Sequence, residues 1–134
     1  MRKFLSVLFI VIFVLLASTS FAQTWHTANQ VTIAWDAVTQ TTEGMDLPID
    51  QISYSIYISD ENSTNQVVLG ETVETTYLVT LPSEGKYFVG VMCIRTVNTE
   101  RVSESEITWS NEEPIPFGIQ YYAAPRKSTG VRIP

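Results

Sequence analysis

Large apolar side chains return at every second position through most of this chain, and no segment sustains the three-to-four-residue spacing of an amphipathic helix. In "VTIAWDAV", Val31, Ile33 and Trp35 share one face and Thr32, Ala34 and Asp36 the other, which predicts a half-buried strand. "QISYSIYIS" alternates more cleanly, with Ile52, Tyr54, Ile56 and Ile58 on one side and Ser53, Ser55, Tyr57 and Ser59 on the other. A short strand follows in "QVVLGE" and another in "TTYLVTLP", where Tyr77, Val79 and Leu81 alternate until Pro82 stops them. "SEGKYFVGVMCIRTV" then predicts the longest strand, with Tyr87, Val89, Val91 and Cys93 facing the core and Phe88, Met92 and Ile94 on the opposite face. "TVNTERVSES" reads as a loop, and "EITWS" as a last strand carrying Ile107 and Trp109. Short strands at this spacing without helices predict an all-β, antiparallel two-layer fold.

The first 22 residues stand apart from this pattern. A basic start at Arg2 and Lys3, an apolar run from about Phe4 to Ala17 and a Ser20-Phe21-Ala22 end predict a secretory leader cut before Gln23. The expected location is therefore secreted, periplasmic or extracellular, with no membrane association once the leader is removed. Only two of the eight basic residues leave with the leader, so six face fourteen acids in the remainder. That balance excludes nucleic acid as a natural partner. Cys93 is the only cysteine, so the domain folds without an internal disulfide.

The order and spacing of these segments resemble a fibronectin type III domain. Trp35 in "VTIAWDAV", Tyr54 and Ile56 in "LPIDQISYSIYIS", Leu81 and Tyr87 in "TTYLVTLPSEGKYFVGVMCI", and the serine-rich "VSESEITW" carry the resemblance, from about Val31 to Ser110. It implies an immunoglobulin-like antiparallel β-sandwich, with Trp35 as the core tryptophan of the second strand and Tyr87 as the corner tyrosine before the sixth. The physical reading agrees: an indole packs between two sheets, and a tyrosine at a crossing buries its ring while its hydroxyl bonds loop backbone. The expected core is Trp35, Tyr54, Ile56, Leu81, Tyr87, Val89, Val91 and Cys93. The domain is expected over residues 23–110, with 111–134 as an extension.

The chain departs from the family at both ends. After cleavage only "QTWHTANQ" precedes the first strand, which is too short for another strand and its turn. "APRKSTGVRIP" at the other end looks similar to the missing opening strand, with Val131 and Ile133 alternating. Three readings of this tail stand side by side: docked on its own domain as a replacement first strand, donated to a neighbouring molecule, or without a fixed place. The preceding "PIPFGIQYY" is too apolar for a solvated linker. Phe117, Ile119, Tyr121 and Tyr122 are expected either to cover Phe88, Met92 and Ile94 or to form with them an exposed patch for a partner.

Catalytic chemistry finds little footing. His26 is the only histidine and lies in the opening segment, and Cys93 falls on the inward face. "DENSTN" groups Asp60, Glu61 and Asn62 without the glycine and distal glutamate of a calcium loop, and Asn62-Ser63-Thr64 matches a glycosylation acceptor. No phosphate-cradling loop, zinc spacing or Arg-Gly-Asp tripeptide is present, so no metal, cofactor or integrin is expected. The function implied is a secreted, non-enzymatic interaction module that takes a protein or an extracellular polymer. The alternatives are a structural subunit that self-associates through its tail, and a carbohydrate-binding accessory component using Trp25 or loop tyrosines.

Overall fold

The computed structural model describes residues 22–134, so the expected leader lies outside the described residues apart from Ala22. Within that span the chain is all-β. The strands are β1 Thr24–Thr27, β2 Gln30–Ala34, β3 Ile52–Asp60, β4 Gln66–Thr72, β5 Thr76–Thr80, β6 Gly85–Val97, β7 Glu100–Glu104, β8 Thr108–Trp109 and β9 Phe117–Tyr121. Two sheets result. The larger runs β1-β9-β6-β3-β4, with β7 and β8 also on β6, and the smaller is the pair β2-β5.

The two sheets enclose one core. Ile33 of β2, Val79 of β5 and the adjoining Leu81 meet Ile52, Tyr54, Ile56 and Ile58 of β3, Val89 of β6 and Ile119 of β9. Each of these side chains contributes about 1.5–3 kcal/mol by leaving water. Strand β3 supplies four of these nine, more than any other strand, because it is central, flanked by β6 from Ile52↔Arg95 to Asp60↔Tyr87 and by β4 on the other edge. A bulge sets Ile56 opposite Gly70 and Tyr57 opposite Val68, skipping Leu69 and bending the β3-β4 ribbon.

At four places the structure departs from the sequence pattern. First, "QTWHTANQ" does hold a strand: β1 lies parallel to β9, from Thr24↔Phe117 to Thr27↔Gln120. No hairpin turn is needed because the chain changes sheets in one step. Ala28 N–H donates to Gln120 O in the larger sheet (3.1 Å), and Asn29 O accepts from Leu81 N–H in the smaller (2.9 Å). Second, "TVNTERVSES" is a hairpin, with β7 returning along β6 after Asn98 and Thr99, both at positive φ (49° and 68°). Every residue of β7 is exposed, so no alternation marks it and backbone pairing alone makes it a strand.

Third, "PIPFGIQYY" does not lie over the outer face of β6. It continues into β9, which pairs edge to edge with β6 from Gly85↔Tyr121 to Tyr87↔Ile119. Ile119 is fully buried, Phe117 and Tyr121 pack on the same core, and Tyr122 is exposed beyond the strand end. The folded body thus runs past Ser110 to Tyr121. Fourth, the tail forms no strand on its own domain: Val131 and Ile133 are 90% and 95% exposed. The docked reading would have placed Val131 and Ile133 beside β2; β1 lies instead at the far edge of β9, and among the described residues no strand occupies the β2 edge away from β5.

The two aromatic markers behave differently. Trp35, just past β2, is half-buried and packs edge-on against Tyr54, with ring centres 5.2 Å apart. The Tyr87 ring packs on the core, but its hydroxyl bonds the side-chain Oγ of Ser83 (2.7 Å) rather than loop backbone. A serine four residues upstream in the tight β5-β6 turn brings a hydroxyl within reach before any carbonyl.

Candidate functional site

Strand β6 has thirteen residues, and no single strand matches it on the side of β7, β8 and β9. Those three pieces run antiparallel to β6 in succession, at Val97–Ile94, at Val91–Gly90 and at Tyr87–Gly85. Between them the chain swings away, and two serines patch the ladder. Ser105 Oγ accepts from Cys93 N–H (2.9 Å), while Ser105 N–H donates to Cys93 O (2.8 Å). Ser110 Oγ accepts from the buried Val89 N–H (3.1 Å). Pro114 and Pro116 forbid a continuous ladder over the second swing, since neither carries an N–H.

The smaller sheet is too narrow to roof this stretch. Among the described residues no strand pairs with β2 on the side away from β5. A groove of about 650 Å³ opens there. Its floor is the inward face of β6, Val89, Val91 and Cys93; one wall is Ile33 to Asp36, and the other is Ser105, Thr108 and the swing from Ser110 to Phe117. Tyr54 closes the bottom beside Trp35, its hydroxyl accepting from Val38 N–H (3.0 Å). Among the described residues the buried Trp35 indole N–H finds no hydrogen-bond partner, at a cost of about 1–3 kcal/mol.

The groove is mostly apolar and its charge is of one sign. Asp36 and Glu113 line it, and no lysine or arginine does. The cations of the body are engaged elsewhere: Arg101 bridges Glu71 (2.6 Å) and Glu104 (3.6 Å), Arg95 donates to Gln51 Oε1 (3.3 Å), and Lys86 sits 5.1 Å over the Trp25 ring. Burial pushes the Cys93 thiol above its ordinary 9.0, which keeps it protonated and a poor nucleophile at neutral pH. His26 packs edge-on against Phe117 in the β1-β9 pair. Among the described residues no three His, Cys, Asp or Glu side chains gather as metal ligands. The Asp60 carboxylate is taken up by its own turn, through Thr64 N–H (2.8 Å), Thr64 Oγ1 (2.5 Å) and Asn65 Nδ2 (3.2 Å).

The residues singled out from the sequence therefore separate into two groups. Tyr54, Ile56, Leu81 and Val89 are buried in the core, while Trp35, Val91, Cys93 and Phe117 come together around the groove, which Tyr54 and Val89 also line. Phe88, Met92 and Ile94, expected as an outer surface needing cover, are buried already. Trp25 stacks on Phe88 with ring centres 5.4 Å apart, and Tyr57 reaches Met92. Sequence reasoning passed over Asp36, Val38, Glu113 and Ile115 as groove residues. The one available signal was the proline pair in "NEEPIPF", which announces that the last strand cannot be continuous. No helix among the described residues is long and apolar enough to cross a membrane. No protein-family model, curated protein or solved structure matches the chain.

Proposed function

We propose that this chain is a secreted, non-enzymatic protein-interaction module of the fibronectin type III kind, built as an immunoglobulin-like sandwich, and that it binds an extended peptide segment in the groove beside β2. The leader pattern supports export. The pair β2-β5 set against a sheet centred on β3 and β6, with Trp35 and Tyr54 in contact between them, supports the sandwich. One observation carries the functional reading: an apolar groove lies along a strand edge that pairs with no strand among the described residues. Such an edge offers main-chain hydrogen bonds to an added strand, and such a groove takes its alternate side chains. Trp25 is a weaker candidate as a sugar-stacking platform, because its ring is already occupied by Phe88, Gly118 and Lys86.

Cys93 provides the test, as the chain's one cysteine and part of the groove floor. With its thiol pushed up by burial, alkylation of the free protein is expected to be slow at neutral pH and to accelerate above the ordinary value of 9.0. Extended peptides with alternating apolar residues should bind and slow it several-fold further, and Val91→Arg should remove that protection. A peptide panel of varied charge that neither binds nor alters Cys93 reactivity overturns the reading. So does substrate turnover by the purified chain that a point substitution abolishes.

A further inference from the structure

We infer that the occupant of the groove is the tail of a second copy of this chain, residues Arg126 to Pro134, added as a strand along the open edge of β2. The inference rests on the groove being a peptide-binding site and names its ligand. Backbone register comes first. Asn29 O accepts from Leu81 N–H and Trp35 N–H donates to Thr75 O, so the odd-numbered residues of β2 turn their backbone groups to β5. Gln30, Thr32 and Ala34 turn theirs to the open side. An incoming strand therefore meets the N–H and C=O of Ala34 at the groove and those of Thr32 and Gln30 further along the same edge.

The tail has the matching chemistry. Val131 and Ile133, two residues apart, fall on one side of an extended strand and are almost fully exposed on their own domain. Arg132 between them points to the other side. Arg126, Lys127 and Arg132 are half of the six basic residues outside the leader, and they face a groove lined by Asp36 and Glu113 with no cation. In the added strand, Val131 and Ile133 enter over Val91 and Cys93 while the basic side chains stay at the acidic rim.

The tail is not inserted on its own domain, which leaves it available for exchange. Ala123 N–H donates to Glu84 Oε1 (2.6 Å), which fixes the exit of the tail at the start of β6, where Tyr121 pairs with Gly85. Val91 lies six residues further along β6, about 20 Å away at ~3.3 Å per residue, and on their own domain residues 122–134 form no strand and stay exposed. Donation by each copy to the next is a head-to-tail contact, which grows into a ring or an open chain.

The experiment compares residues 23–134, the chain without its expected leader, with the same chain lacking Arg126 to Pro134, whose loss touches none of the core contacts. Sedimentation of the full chain should show assemblies that grow with concentration and shrink with salt, and the deleted chain should be a monomer. A synthetic Arg126–Pro134 peptide should bind the deleted chain and protect Cys93 from alkylation. The same peptide carrying Val131→Asp and Ile133→Asp should do neither. Ala34→Pro, which removes an outward N–H from β2, should abolish peptide binding while circular dichroism remains that of a folded sheet protein. A full chain that stays monomeric at every concentration overturns the inference, and if its Cys93 is nonetheless protected by the tail, the strand is folded back on its own domain. If other alternating apolar peptides protect Cys93 but the tail peptide does not, the inference fails and the binding-module reading survives. If no peptide protects it, both fail.

Discussion

The two faces of β6 invert what their residues promise. Phe88, Met92 and Ile94 face away from the smaller sheet, yet they are 6%, 6% and 1% exposed. Val91 and Cys93 face toward it and are only half-buried. The outer face is sealed by two indoles, each lying across a glycine of the neighbouring strand: Trp25 over its register partner Gly118, and Trp109 over its partner Gly90. The inner face is roofed near Ile119, Val79 and Leu81 and stays open where the two-stranded sheet runs out. Burial in this fold thus follows what lies opposite each strand segment, and the side facing the second sheet is not automatically the dry one. An outer face can be closed by local cover from β1 and β8, because a strand without a Cβ lets a flat ring approach its backbone.

The largest consequence concerns the two faces directly. Ile94→Ala on the outer face should cost about 2–5 kcal/mol, the range for emptying a packed site, whereas Val91→Ala at the open groove should cost less than about 1.5 kcal/mol. Urea midpoints of the two variants measure this, and equal losses would mean that the groove is closed in solution. Next come the glycines under the indoles. A Cβ at Gly90 would stand 2.6 Å from Ile107 and 2.8 Å from the Trp109 ring, and one at Gly118 would stand 2.5 Å from the Trp25 ring. Gly90→Ala and Gly118→Ala should each lose about 1–3 kcal/mol by overpacking, and Trp109 or Trp25 fluorescence should shift as the ring is lifted. A neutral or stabilising result at both would show that the rings do not lie on the strands.

The smallest effect lies away from both faces, at the turn after β3. Hydrogen bonds from the Thr64 side chain and backbone, and from Asn65, hold the Asp60 carboxyl below its ordinary 3.8. A depressed folded-state value means that the contribution is fully present above pH 3.8 and is lost as pH falls through the lower folded value. The Thr64 amide should therefore stay protected from hydrogen exchange down to about pH 4 and lose that protection only in stronger acid. Asp60→Asn should make it insensitive to pH over the same range. Loss of protection near neutral pH would assign the turn's order to something other than this carboxylate.

How much of this was legible beforehand differs from element to element. The alternation in "QISYSIYIS" and "SEGKYFVGVMCIRTV" located β3 and β6 because a long strand with one face against another sheet imposes period two on its own sequence. The same rule misled at Phe88, Met92 and Ile94, since alternation distinguishes the faces of a strand but does not say which is covered. Strands β1 and β7 escaped notice for a related reason. Four residues at an edge, or five that are wholly exposed, are held by backbone hydrogen bonds that any side chain permits. The groove lay further out of reach. It is assembled from residues 33–38, 89–93 and 105–117, and none of these segments carries a signature of being near the others.

What the amino-acid order settled is local: the sheet-forming character of the chain, the apolar identity of Ile33, Tyr54, Ile56, Val79 and Val89, the acidic body and its basic, alternating tail. These follow from side-chain chemistry and a two-residue repeat, which act over a few neighbouring positions. Which strand pairs with which, that the chain crosses sheets between Ala28 and Asn29, that the last strand is broken into three, and that β2 keeps one edge bare were settled by long-range packing. Such choices depend on the competition among all segments for a single core, and that competition exists only once the chain has closed on itself.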